Sequence, residues 1–273
     1  MLAPDPQAES GAEPLLAVTR ALEVLEWLAQ APEGLAFPAL RQRLGTNQGA
    51  AFKILATLER SGWLFRSEDT GRYLLTYKLS NLGLTRLSRS RLLQIAQPAL
   101  RNLAEASGEL VRLAVVERDS ITWVLALAGA NRQQHTLQIV PGNKLRIGLN
   151  THAAGKAWLS CLPWPEAWAL LQAQGLERRT PHSLVTEAAL RADLEAAAAR
   201  GFATSFEENE LSIGAIAVPI LAPGLDGVPG CVGSVSVAAP TARMDRAALE
   251  AQAPAAMECA RGLGAAWPLN LEG

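Results

Sequence analysis

The chain has 273 residues, 49% of them hydrophobic and 19% charged, with a formal net charge of −1. That is enough apolar content for two packed domains and too much for a wholly disordered chain. No apolar run approaches the roughly 18 residues that span a bilayer, and the acidic first 13 residues lack the basic start of a secretory leader. No membrane partner is therefore expected. Cys161, Cys231 and Cys259 stand far apart with no CxxC pair. That spacing points to a reducing cytoplasm and away from a disulfide scaffold or a metal site.

Whole-chain neutrality hides a partition. Residues 1–13 hold three acids and no base, residues 14–101 hold 12 Lys/Arg against six Asp/Glu, and residues 102–273 hold 13 against 17. From 70 to 101, Arg72, Lys78, Arg86, Arg89, Arg91 and Arg101 meet no acid at all. Local potential, not net charge, governs encounter with phosphates. A polyanion partner for the first third is one reading, and a solvated basic helix face is the other.

In chain order, residues 1–13 read as a disordered tail with almost nothing to bury. Val18, Ala21, Leu22, Leu25 and Leu28 then recur at helical spacing until Ala31-Pro32-Glu33-Gly34 stops them. A short helix is predicted over Phe37–Leu44, then a turn at Gly45. A third begins near Asn47, a good N-cap, buries Ile54, Leu55 and Leu58, and ends at Gly62. Trp63-Leu64-Phe65 and Tyr73-Leu74-Leu75 are β-prone runs around a polar, Gly-containing turn. Three short helices and a hairpin follow the winged helix-turn-helix order. Leucines from Leu79 to Leu103 continue as one long helix to Ser107-Gly108, apolar enough to pair with a second copy. The domain division is thus 14–77 for the winged helix and 78–107 for a helical linker and dimerisation element.

Beyond it, 108–267 reads as a separate α+β domain. Strands are predicted at Leu110–Glu117, Ile121–Ala128, Thr136–Val140, Leu145–Leu149, Ala203–Phe206, Ala215–Leu221 and Val232–Ala238. Helices are expected at 153–162, 165–174 and 187–200, with a closing helix over Met244–Leu263. Strands at both ends with helices between them make an α+β sandwich.

Taken together, these residues resemble the IclR-type bacterial transcriptional regulators over about 14–265. Val18-Thr19-Arg20-Ala21-Leu22-Glu23-Val24-Leu25 is similar to that family's opening helix. Ile54-Leu55-Ala56-Thr57-Leu58 with Gly62 resembles its recognition-helix exit, and Gly71-Arg72-Tyr73-Leu74-Leu75 its wing. Gly155-Lys156-Ala157-Trp158-Leu159 resembles its Gly-Lys-Ala box. Ala199-Arg200-Gly201-Phe202-Ala203, Glu207-Glu208, Ile216-Ala217-Val218-Pro219 and Val235-Ser236-Val237 with Pro240 resemble its most recognisable stretch. The resemblance implies an N-terminal DNA-binding domain and a C-terminal GAF-like domain that binds a small-molecule effector, without a cofactor. It also implies a homodimer or dimer of dimers.

There are departures. Gly49-Ala50 stands where the family usually has Ser-Thr, and Lys53 where it has Arg, which shifts DNA contacts toward Thr46, Asn47, Gln48 and Lys53. Asn47 and Gln48 have the groups to pair with adenine in a major groove, or Asn47 is only a helix cap and Gln48 is solvated. Arg20, Arg66 and Arg72 would join Lys53 on phosphates. In the effector domain Ser205, Ala215, Ser212, His152 and Ala238 replace the family's frequent Asp, Cys, Gly, Thr and Ser. The pocket that the resemblance implies is lined by Leu127, Ala128, Gly129, Ile147, Leu149, His152, Ser205, Ile213, Ala215, Ser234 and Ser236. With its polar positions thinned, it is expected to hold an apolar or aromatic organic acid, with His152 the sharpest anchor or simply a helix cap.

An enzyme is the rival class. No HExxH, Walker loop, GxSxG or GxGxxG is present, and Glu207 and Glu208, if on a strand, would face opposite sides. No catalytic residue is expected. A winged helix used for protein contact, with a degenerate DNA face at Gly49-Ala50, is the second alternative.

Overall fold

The computed structural model describes residues 14–129, 147–223 and 229–267, and they fall into two compact units, 1–89 and 90–273. The tail reading of residues 1–13 and the strand at Thr136–Val140 lie outside the described residues.

The first unit is a three-helix cluster with a hairpin. α1 (Leu16–Ala29) buries Val24, Leu25 and Leu28, while Val18 and Leu22, members of the same helical period, stand exposed. With Leu15 they form an outward apolar stripe at i, i+3 and i+7. α2 (Phe37–Leu44) ends at Gly45 in the left-handed conformation that glycine tolerates best. α3 (Gln48–Arg60) starts at Asn47, whose side chain accepts the Ala50 N–H at 2.9 Å. It buries Ala51, Leu55 and Leu58, with Ile54 only partly covered. β1 (Leu64–Arg66) pairs antiparallel with β2 (Tyr73–Leu75), Phe65 opposite Leu74. Tyr73 also bridges to Leu35, tying the hairpin to the segment between α1 and α2. α4 (Lys78–Ser88) follows, with Leu79, Leu82 and Leu84 exposed.

The long helix expected from Leu79 to Ser107 is two helices. Ser90 turns extended (φ −73, ψ 114), and α5 (Arg91–Ser107) begins beyond it. α5 buries Leu92, Ala96, Leu100 and Leu103 in the core of the second unit.

That unit is built on one five-stranded antiparallel sheet in the order β4-β3-β7-β6-β5. The strands are β3 (Leu110–Glu117), β4 (Ser120–Leu127), β5 (Ala203–Phe206), β6 (Ile213–Pro223) and β7 (Pro229–Pro240). Of the strand expected at Leu145–Leu149, the described part, 147–149, is loop. Residue alternation splits the sheet into two apolar faces. Val111, Leu113, Val115, Ile216, Val218, Ile220, Val235 and Val237 pack against α5 and α10 (Ala253–Ala265). Ala114, Ala203 and Ala217 pack against α6 (Ala153–Leu159), α7 (Trp164–Gln174) and α8 (Glu187–Arg200). Gly264 lets α10 approach the sheet closely, since a Cβ there would meet the Leu221 carbonyl at 2.2 Å. The single closing helix expected over Met244–Leu263 is instead α9 (Arg246–Glu250) and α10. Pro254, in the first turn of α10, has no N–H and its ring would clash with the Glu250 carbonyl.

Candidate nucleic-acid interface and effector cavity

On the first unit, α3 presents Gln48, Gly49, Phe52 and Lys53 outward, Phe52 at 58% exposure. An exposed phenylalanine in mid-helix was missed by the sequence reading, although Phe52 sits one position from Lys53 on a polar face. Asn47 is occupied as the cap. Its Oδ1 accepts the Ala50 N–H, which uses one of the two lone pairs of the amide oxygen and leaves Nδ2 uncommitted by the cap. Arg20 donates to the Thr46 hydroxyl at 3.4 Å, linking α1 to the turn before α3. In the hairpin, Arg66 Nε donates to the Gly71 carbonyl and the guanidinium lies 5.8 Å from the Tyr73 ring centroid. Arg72 reaches back to the Gly34 carbonyl at 3.0 Å. These arginines brace the unit while remaining at its surface. Lys78, not assigned to the interface from sequence, donates to the Ser61 carbonyl and rests over Trp63.

The second unit holds a small open cavity between the sheet and the start of α6, and the roughly 350 Å³ of space around it includes solvent at its open side. Of the residues named from sequence, His152, Ser205, Ile213, Ala215 and Ser236 line it. The rest of the expected lining does not. Leu127 packs with the opposite core, on the α5 side, and Gly129 abuts the end of α5, where a Cβ would meet the Ala104 carbonyl. Ala128 is exposed at the end of β4, while Ile147 and Leu149 are buried among α6 and α8 residues. Ser234 shares the Ser236 face but does not line the cavity, and among the described residues its Oγ has no partner.

Arg112, Trp123, Asn209 and Glu210 line the cavity and were not anticipated. The signal for Arg112 was available as one charged residue inside the apolar strand Leu110–Glu117. Its guanidinium stacks 4.2 Å from the Trp123 ring centroid. His152 takes the N-cap position of α6 without capping it; its Nδ1 accepts the Gly148 N–H at 3.1 Å, which leaves Nε2 as the protonated nitrogen of the neutral ring. Ser205 donates to the Thr151 carbonyl.

The loop after β5 is fixed from below. Lys156, wholly buried in α6, donates to both Glu208 oxygens at 2.9 and 2.8 Å and lies 2.9 Å from Asp193 on α8. Burial pushes the Glu208 carboxyl up against the pull of Lys156. Glu207, at a left-handed φ of 57, turns the loop and accepts from Ser212 N–H and Thr241. Asn209 and Glu210 are thereby held at the cavity mouth. The adjacent acids are structural members of this loop.

Comparison with known proteins meets this architecture at both units. The helix-turn-helix domain of the IclR family matches residues 17–68, and the C-terminal domain of bacterial IclR transcriptional regulators matches 84–265. The regulator BhcR of Paracoccus denitrificans is 31% identical, over 90% of this chain and 85% of its own. The transcriptional repressor IclR of Escherichia coli K12 is 28% identical, over 81% and 83%. A crystal structure of an IclR homologue from Microbacterium hydrocarbonoxydans, complexed with 4-hydroxybenzoate, superposes with a TM-score of 0.69 at 22% identity, over 91% and 97%. The chain thus belongs to the IclR family of transcriptional regulators, with a helix-turn-helix domain for DNA and a C-terminal domain for an effector.

Proposed function

We infer that the first unit reads double-stranded promoter DNA with α3 in a major groove, and that a small organic acid in the second unit's cavity modulates that binding. The observation that carries the DNA reading is α3 itself, which leaves Gln48, Phe52 and Lys53 exposed along one side of a helix whose other side is core. Gln48 has the chemistry for an adenine edge and Phe52 for a thymine methyl. Lys53, Arg20, Arg66 and Arg72 supply cations for phosphates, and Thr46 supplies a hydroxyl. Asn47 sets the start of the helix, and its second lone pair and Nδ2 remain for a base edge or a phosphate.

The cavity reading rests on apolar walls, Ile213, Ala215 and the Trp123 ring, around a few polar groups. The homologue that holds 4-hydroxybenzoate supports an aromatic or similarly apolar acid. The outward stripes on α1 and α4 support a homodimer, or a dimer of such dimers, whose two recognition helices meet successive major grooves about 34 Å apart. A protein that acts on bacterial promoters works in the cytoplasm.

Fluorescence anisotropy with the DNA upstream of the protein's own gene tests this reading. Affinity should fall steeply between low and moderate salt, as phosphate neutralisation requires. A flat salt response would refute the phosphate-contact model.

A further inference from the structure

Among the described residues, three polar atoms of residues that line one cavity have no hydrogen-bond partner: Arg112 Nε, Asn209 Oδ1 and Ser236 Oγ. Buried polar groups are nearly always paired, and each one that is not loses its hydration without return. Three such atoms around a single space describe a ligand by what they lack. Arg112 offers a cation and a donor, Ser236 donates or accepts, and the Asn209 amide oxygen needs a donor.

The cation is the most informative of the three. Arg112 lies directly opposite Ser236 across the β3–β7 ladder, so both reach the cavity from the same face of the sheet. Trp123 covers the guanidinium face, which leaves the edge of the group to donate. Among the described residues Arg112 has neither a hydrogen bond nor an ion pair. Burial pushes its pKa down to about 10, still far enough above neutrality that it stays charged. A half-buried guanidinium whose Nε is shielded and whose face meets only a ring is held at a cost until a counter-ion arrives. Water alone would satisfy the serine and the amide, but it brings no charge. Glu210, the acid in the lining, is exposed to solvent and is not paired with Arg112.

We propose that Arg112 is the anion anchor of this cavity and sets its specificity. The effector is then a small carboxylate that also carries a hydrogen-bond donor, such as a hydroxyl, for Asn209. This rests on the reading of the cavity as the effector site. It also places the anchoring charge on a residue of the central part of the sheet, which a neutral imidazole at His152 does not supply.

The test is calorimetry on the full-length protein with three acids and their uncharged amides: 4-hydroxybenzoate, benzoate and lactate against 4-hydroxybenzamide, benzamide and lactamide. Arg112→Met keeps a long side chain over Trp123 and removes the charge, and Ala215→Phe fills the cavity. Wild type should prefer at least one acid over its amide by about tenfold or more, and Arg112→Met should bind the same pair within about threefold. 4-Hydroxybenzoate should outbind benzoate. Equal binding of acids and amides by wild type, or a preference that survives in Arg112→Met, overturns the anchor. In that case loss of binding in Ala215→Phe leaves the effector cavity standing. Binding untouched by Ala215→Phe, or no binding of any acid at millimolar concentration, overturns both.

Discussion

Lys156 and Glu208 form a two-pronged ion pair with the lysine fully out of solvent, and it fastens the cavity loop after β5 to α6. Breaking one side of such a pair strands the other. Lys156→Met would leave Glu208 and Asp193 facing a buried methyl and should cost about 3–5 kcal/mol. The melting temperature of the effector domain should drop by about 10 °C. Circular dichroism melts check this, and a loss under about 1 kcal/mol would show the pair to be dispensable.

Asn47 caps α3, and its replacement separates capping from base reading. Asn47→Ala should lose about 1 kcal/mol of stability in the first unit, whereas Asn47→Asp should keep it. Denaturant melts of the two variants give the comparison. A stable Asn47→Asp that has lost preference for one operator base would instead make the side chain a reader.

Lys53 and Gln48 are both exposed on α3 and have different expected partners. Lys53→Ala should weaken binding to all operator variants alike and lower the salt slope by about one. Gln48→Ala should relax preference at one base pair and leave the slope alone. Anisotropy titrations over a salt series and a panel of single-base operator changes distinguish the two.

The outward leucines of α1 and α4 predict an assembly with a sensitive seam. Leu22→Glu or Leu82→Glu should shift the protein from dimer or tetramer to monomer in light scattering, with circular dichroism unchanged. An assembly indifferent to both substitutions would remove these stripes from the interface.

Cys161 is exposed, and the neighbouring Cys231 side chain holds its thiol below the usual value of 9.0. Burial pushes Cys259 up to about 11, and Cys231 is driven up further by Cys161 and by burial. Since the thiolate is the reactive form, Cys161 gains reactivity at lower pH than the other two. A disulfide-exchange reagent at pH 7.5 should label Cys161 first, with a rate profile whose midpoint lies below 9. Uniform labelling of all three would contradict the thiol contact.

Much of the fold was legible because it rests on local signals. Asn47 before an apolar helical period, the hairpin flanked by Leu64 and Tyr73, and the alternation in Leu110–Glu117 are each decided within a few residues. The misreadings fall where distant partners decide. Leu22 has the right period for a core position and faces out, because which side of α1 is covered depends on α3 and β2. Leu127 and Ser236 were placed in one pocket, but β4 carries Leu127 to the opposite face of the sheet. Arg112 escaped notice because its meaning lies across the ladder in Ser236 and Trp123, and register between distant strands is not written in either segment alone.

The sheet order places β7, the last strand in the chain, between β3 and β6. The winged helix closes its hydrophobic cluster within Val24–Tyr73 and can condense as soon as those residues leave the ribosome. The sensing sheet has no such early start. Until residues 229–240 emerge, β3–β4 and β5–β6 are separate hairpins with a missing seam, and the cavity floor at Ser236 does not exist. During synthesis the reading head therefore precedes its own regulator, and the sensing half, with its long-range pairing, should be the slower of the two to fold.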